Sequence, residues 1–167
     1  RRLYMLLTVI AAAGVFVGAY TYSGGEVNAG GGFVSAFVTS LCSVGIYVLL
    51  FFFGGLSAVG QPMGYILCFF KGLGTGYLAA YAACAMKSGD VCAALNILPF
   101  EAVSMVTVIF GARENIRMSS YISGRSFGAS GEASDEGSLR LYLAKFALIL
   151  LTGIAAAAMR GLMAAVL

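Results

Sequence analysis

The residues most able to do chemistry are two charges set deep in apolar sequence. Lys71 lies in Leu67-Cys68-Phe69-Phe70-Lys71-Gly72, and Glu101 lies in Leu98-Pro99-Phe100-Glu101-Ala102. A lone charge at the centre of a membrane-crossing helix costs about 2.5–3.5 kcal/mol on insertion scales. Opposite charges at one depth offset that cost by pairing. Lys71 is nine residues past Pro62 and Glu101 ten past Val91, in successive apolar stretches joined by a tight turn. Antiparallel helices would therefore bring them to a similar depth, and a Lys71–Glu101 contact facing the interior is expected. It reads in two ways: as a lock between two helices, or as an ion- or proton-handling site. Asn96 and Pro99 bear on the second reading. Proline removes a backbone hydrogen bond and clashes with the preceding turn, so a kink or break is expected near Asn96. Interrupted helices mark binding sites in transporters, and they also serve packing alone.

Other chemistries lack their residues. The chain has no histidine, which removes the usual general base, any Ser-His site and the commonest metal ligand. An intramembrane aspartate pair is excluded because Asp90 and Asp135 both fall in polar connections. Gly72-Leu73-Gly74-Thr75-Gly76 shares only glycine content with phosphate loops, since no strand precedes it. The four cysteines, Cys42, Cys68, Cys84 and Cys92, form no CxxC and read as small hydrophobes. A Cys84–Cys92 disulfide across the short polar turn is the one pairing the spacing leaves open. No zinc, calcium or haem ligand set is visible, so neither metal nor cofactor is expected, and the chain does not read as an enzyme.

The elements that must hold these residues are membrane helices. Of 167 residues, 60% are apolar and 10% charged, with mean hydropathy +0.94. Soluble domains carry roughly 25% charged residues. A chain this poor in charge cannot cover its surface in water, and lipid is its natural solvent. Five stretches reach the roughly 20 apolar residues that a span needs: about 3–22, 33–56, 62–86, 91–112 and 139–167. The fold expected is an all-α, polytopic bundle forming one integral membrane domain. The apolar run after Arg1-Arg2 exceeds a signal-peptide core of roughly 7–15 residues, and more spans follow, so it reads as an uncleaved first span. Pro62 suits the first turn of its helix. The segment 113–138 is expected as a cytoplasmic loop, with 113–122 able to prolong the fourth helix. Its second half, Gly124-Arg125-Ser126 onward, has loop composition.

Charge asymmetry orients the bundle. With a cytoplasmic N-terminus that side holds Arg1, Arg2, Arg113, Arg117, Arg125 and Arg140, against Lys87 alone in the opposite loops. This follows the positive-inside rule and favours an odd number of spans. Lys145 and Arg160, nearer the ends of the fifth span, are expected to snorkel to the interfaces. Small residues recur four apart at Gly14/Gly18, at Gly72/Gly76 with Gly74 between them, and at Gly153/Ala157/Gly161. Such spacing lets helices approach closely in lipid, within one bundle or across a homo-oligomer face. The net charge of +3 without a basic block gives no footprint for nucleic acid.

The central stretch resembles a known family. Gly54-Gly55-Leu56-Ser57-Ala58-Val59-Gly60-Gln61-Pro62, then Phe69-Phe70-Lys71-Gly72-Leu73-Gly74-Thr75-Gly76-Tyr77, then Asn96-Ile97-Leu98-Pro99, is similar to the stage II sporulation protein M family. The residues carrying the likeness are Gly55, Leu56, Gly60, Pro62, Lys71, Gly72, Gly76, Leu98 and Pro99, within about 51–111. The resemblance implies a five-span protein of the bacterial cytoplasmic membrane in endospore formers, at the mother-cell or septal membrane. It further implies a scaffold for engulfment that localises the peptidoglycan-degrading stage II sporulation proteins D and P. A small transporter or channel subunit built on Lys71 and Glu101 is the alternative.

Overall fold

A computed structural model describes residues 2–24, 32–57, 60–126 and 135–166. They form five α-helices: α1 (Arg2–Tyr20), α2 (Phe33–Gly55), α3 (Gly60–Lys87), α4 (Val91–Ser126) and α5 (Asp135–Val166), with no strand among the described residues. Lipid offers backbone amides no partner, and a helix satisfies its own, so long apolar runs take this form. All five helices are long and apolar enough to cross a membrane, and the protein is an all-α five-span bundle. The expected spans recur within a few residues, apart from the long extension of α4 and a start of α5 at Asp135.

The bundle is inside-out relative to a soluble protein. Phe16, Val9, Leu148 and Leu151 are 79%, 68%, 64% and 64% exposed, whereas Lys71, Glu101, Asn115 and Ser119 are buried. α4 is the hub. It touches all four other helices, α1 packs on α3, and α2 packs on α5. Of the apolar window of α4, 44% is buried, against 22% for α1 and for α2.

Small residues set the closest crossings. A Cβ added at Gly18 would collide with the Leu73 carbonyl, and one at Gly76 with the Val15 carbonyl. Gly14 and Gly72 meet Cα to Cβ position at 3.2 Å. Two helix backbones are thus in direct contact, the arrangement by which lipid-embedded helices gain packing. Gly74 does not share this role, for open space surrounds it. On α5, Gly153 faces Val44 and Gly161 faces Phe33, both on α2, and Ala157 is fully buried.

Two expectations about the fourth helix need revision. α4 is continuous through Pro99, so no break opens near Asn96. The helical continuation allowed over 113–122 is present and runs on to Ser126, so the first half of the loop expected over 113–138 is helix. The reason is that Glu114, Asn115 and Ser119 turn inward and are buried. At 36 residues, α4 is about 54 Å long, well beyond a hydrocarbon core of roughly 30 Å. The glycine-rich connection at 25–31, Ala58-Val59 of the family-like stretch, and 127–134 of the polar segment lie outside the described residues. At the α3–α4 turn, Gly89 takes φ 91°, a conformation glycine adopts freely. The Ala93 N–H donates to Asp90 Oδ1 at 3.1 Å, capping α4. All four cysteines are free, so the Cys84–Cys92 bridge left open by the spacing is not formed.

Candidate functional site

The expected pair is formed. Lys71 Nζ lies 2.8 Å from Glu101 Oε2, with 5% of each side chain exposed. The Thr75 hydroxyl, one turn along α3 from Lys71, donates to the same oxygen at 2.8 Å. One carboxylate thus receives an ammonium and a hydroxyl, which offsets much of the desolvation cost that burying both charges incurs. α3 and α4 supply these three groups, and the hairpin turn at Gly89 sets their register.

A second cation joins them from α5. Arg160 does not snorkel outward. Its Nη1 donates to Ser40 Oγ on α2 at 3.2 Å, and its guanidinium stands 5.1 Å from the centre of the Phe100 ring. Lys71 Nζ lies 6.0 Å from the same ring. Phe100 therefore sits against both cations, favourably through its quadrupole. Lys71, Glu101 and Arg160 together carry one excess positive charge inside the bundle. Two atoms there lack partners among the described residues: Arg160 Nε and Asn96 Oδ1. Asn96 is one turn from Phe100 on α4 but makes no bond to Lys71 or Glu101.

The other residues singled out by sequence fall elsewhere. Gly55 packs beneath Asn115 and Tyr142, and Gly60 lies on the Gly54 carbonyl. Gly72 and Gly76 belong to the α1–α3 crossing. Leu56 and Leu98 are 41% and 37% exposed and line no site. Pro62 stands exposed in the first turn of α3, and Pro99 is half-buried in α4. The spacing thus brings Lys71 and Glu101 together, while most of the family-like residues do packing work.

A second polar centre, missed in the sequence, lies toward the Ser126 end of α4. Glu114 bridges Arg113 Nη1 and Lys145 Nζ, each at 2.8 Å. Asn115 Nδ2 donates to the Phe51 carbonyl at 2.7 Å, and the Tyr142 hydroxyl donates to the Phe52 carbonyl at 2.8 Å. Carbonyls in the last turn of a helix lack intrahelical donors; Tyr142 supplies one to Phe52 near the end of α2, and Asn115 reaches Phe51 just before it. The Ser119 hydroxyl donates to the Ser57 carbonyl at 2.8 Å. Lys145 therefore pairs within the bundle rather than reaching out alone. The signal was present: Glu114 follows Glu101 by thirteen residues on one helix, and Arg160 adjoins the Gly153/Ala157/Gly161 stripe, which marks the packed face of α5.

Neither centre gathers metal ligands, as no group of three His, Cys, Asp or Glu side chains forms among the described residues. Comparison of the chain with family models, with curated proteins and with solved structures gives no match.

Proposed function

We propose that the chain is a non-enzymatic membrane scaffold of endospore engulfment, seated in the bacterial cytoplasmic membrane and holding the peptidoglycan-degrading stage II sporulation proteins D and P. The role comes from the resemblance of residues 51–111 to the stage II sporulation protein M family. The observation that supports it is the use to which the shared residues are put. Gly60, Gly72 and Gly76 are buried against backbone carbonyls and Gly55 against the Tyr142 side chain, and Lys71–Glu101 is a closed, paired latch. These are the features of a rigid platform. Deletion of the gene in its host is expected to arrest sporulation at engulfment, with the wall hydrolases dispersed from the septum; normal engulfment in the deletion strain rejects the role.

One observation favours a second reading, a small transporter or channel subunit. The excess positive charge at Lys71, Glu101 and Arg160, with Arg160 Nε and Asn96 Oδ1 unpartnered, is a polar centre within the span of the kind substrates use. Solute flux in proteoliposomes that Glu101→Gln abolishes would establish it in place of the scaffold.

A further inference from the structure

The face between α4 and α5 carries a cationic pocket and, further along the same two helices, an apolar groove. The pocket, about 190 Å³, is lined by Glu114, Arg117, Tyr142 and Lys145 among others. The groove, about 340 Å³, is lined by Val106, Phe110, Leu148 and Thr152 among others. Both lie on one seam. On α4 the lining positions run 103, 107, 110, 114, 117 and 121, and on α5 they run 141, 145, 148 and 152. Steps of three and four keep one face of a helix in register, so each stripe passes without interruption from the groove to the pocket.

The chemistry changes along that line in the way a phospholipid does. Two cations, Arg117 and Lys145, and one carboxylate, Glu114, are the charged side chains that line the pocket among the described residues. Glu114 is already shared by Arg113 and Lys145, and Arg117 is exposed beside it. A singly charged anion completes the balance of these lining residues. Arg117 stands eleven residues beyond Val106, about 16 Å along the helix, which is the depth of one leaflet of a hydrocarbon core of roughly 30 Å. A headgroup at Arg117 would therefore lay an acyl chain against Phe110, Leu148 and Val106. Basic pockets between spans are known places for anionic headgroups.

We propose that the α4–α5 seam is a binding site for one anionic phospholipid, with its phosphate between Arg117 and Lys145 and an acyl chain in the groove below. A free phosphorylated solute would use the same cations but would leave the apolar groove empty, and the groove decides for the lipid. The site is separate from the Lys71–Glu101 centre, and it does not depend on the scaffold role.

Native mass spectrometry of the detergent-purified protein, titrated with phosphatidylglycerol, phosphatidylcholine or inorganic phosphate, tests this. The wild type is expected to retain phosphatidylglycerol over phosphatidylcholine. Arg117→Gln, at an exposed position, is expected to weaken phosphatidylglycerol roughly fivefold, the loss of about one interfacial cation. Val106→Trp, which fills the groove, is expected to weaken both lipids while leaving the melting temperature unchanged. Equal retention of the two lipids, or an unchanged phosphatidylglycerol affinity in Arg117→Gln, overturns the site. Competition by inorganic phosphate combined with indifference to Val106→Trp overturns the lipid in favour of a soluble anion.

Discussion

Among the described residues Glu101 is the one anion facing buried Lys71 and half-buried Arg160, and that asymmetry makes its removal different from the removal of Lys71. Glu101→Gln leaves Lys71 and Arg160 both uncompensated beside Phe100, whereas Lys71→Met leaves Glu101 with the Thr75 hydroxyl and the field of Arg160. Breaking a buried pair costs on the order of 3–5 kcal/mol, so Glu101→Gln is expected near the top of that range and Lys71→Met below it. The double variant, with neither charge, is expected to lose less than Glu101→Gln alone. Thermal or SDS unfolding of the purified protein, read as a double-mutant cycle, checks this, and strict additivity would contradict a coupled pair. At this scale the sequence was informative where charge stood against hydropathy: two opposite charges at matched depth could hardly do other than meet. Arg160 escaped the same logic because it stands six residues from the end of α5, where a long side chain ordinarily reaches water. Its inward course depends on Ser40 and Phe100, which lie 120 and 60 positions away in the chain.

Between elements, the α1–α3 crossing rests on glycines whose neighbours are backbone atoms, which cannot move aside as a side chain would. Gly76→Ala places a methyl into the Val15 carbonyl, and α1 must retreat along its length. A loss of at least the 1–3 kcal/mol typical of overpacking is expected. Gly74→Ala, two residues away in open space, is expected to be neutral or to stabilise by up to about 1 kcal/mol through helix propensity. Melting temperatures of the two variants give the comparison, and equal losses would show that the crossing is not the constraint. The four-residue spacing announced Gly14, Gly18, Gly72 and Gly76, but Gly74 shared their type without their face. The continuity of α4 was less legible. Pro99 signalled a break by local rules, yet α4 runs on through it between four packed neighbours. Past Arg113 the polar composition left helix only as an option to about 122 within a loop, because the inward turn of Glu114, Asn115 and Ser119 rests on acceptors and cations supplied by α2, α5 and the α2–α3 turn.

For the whole molecule, the apolar exterior makes lipid the solvent, and the remaining question is which way the bundle points. The charges divide by end. Arg2, Arg113, Arg117 and Arg140 stand at one end, and Lys87 at the α3–α4 turn stands at the other, so the positive-inside rule predicts Arg117 toward the cytoplasm and the turn outside. Two native thiols report on this directly. Cys84 and Cys92 are exposed on either side of the turn, whereas Cys68 is buried, and Gly124 near the far end of α4 is exposed in open space, where a cysteine can be introduced. With a membrane-impermeant maleimide on intact cells, Cys92 is expected to label at once. Gly124→Cys, made in a chain whose native cysteines are replaced by serine or alanine, is expected to label only after permeabilisation. The reverse pattern would invert the bundle. Arg117, Lys145 and the phospholipid seam would then face the outer leaflet, and any cytoplasmic partner would meet the Lys87 turn instead of the long end of α4.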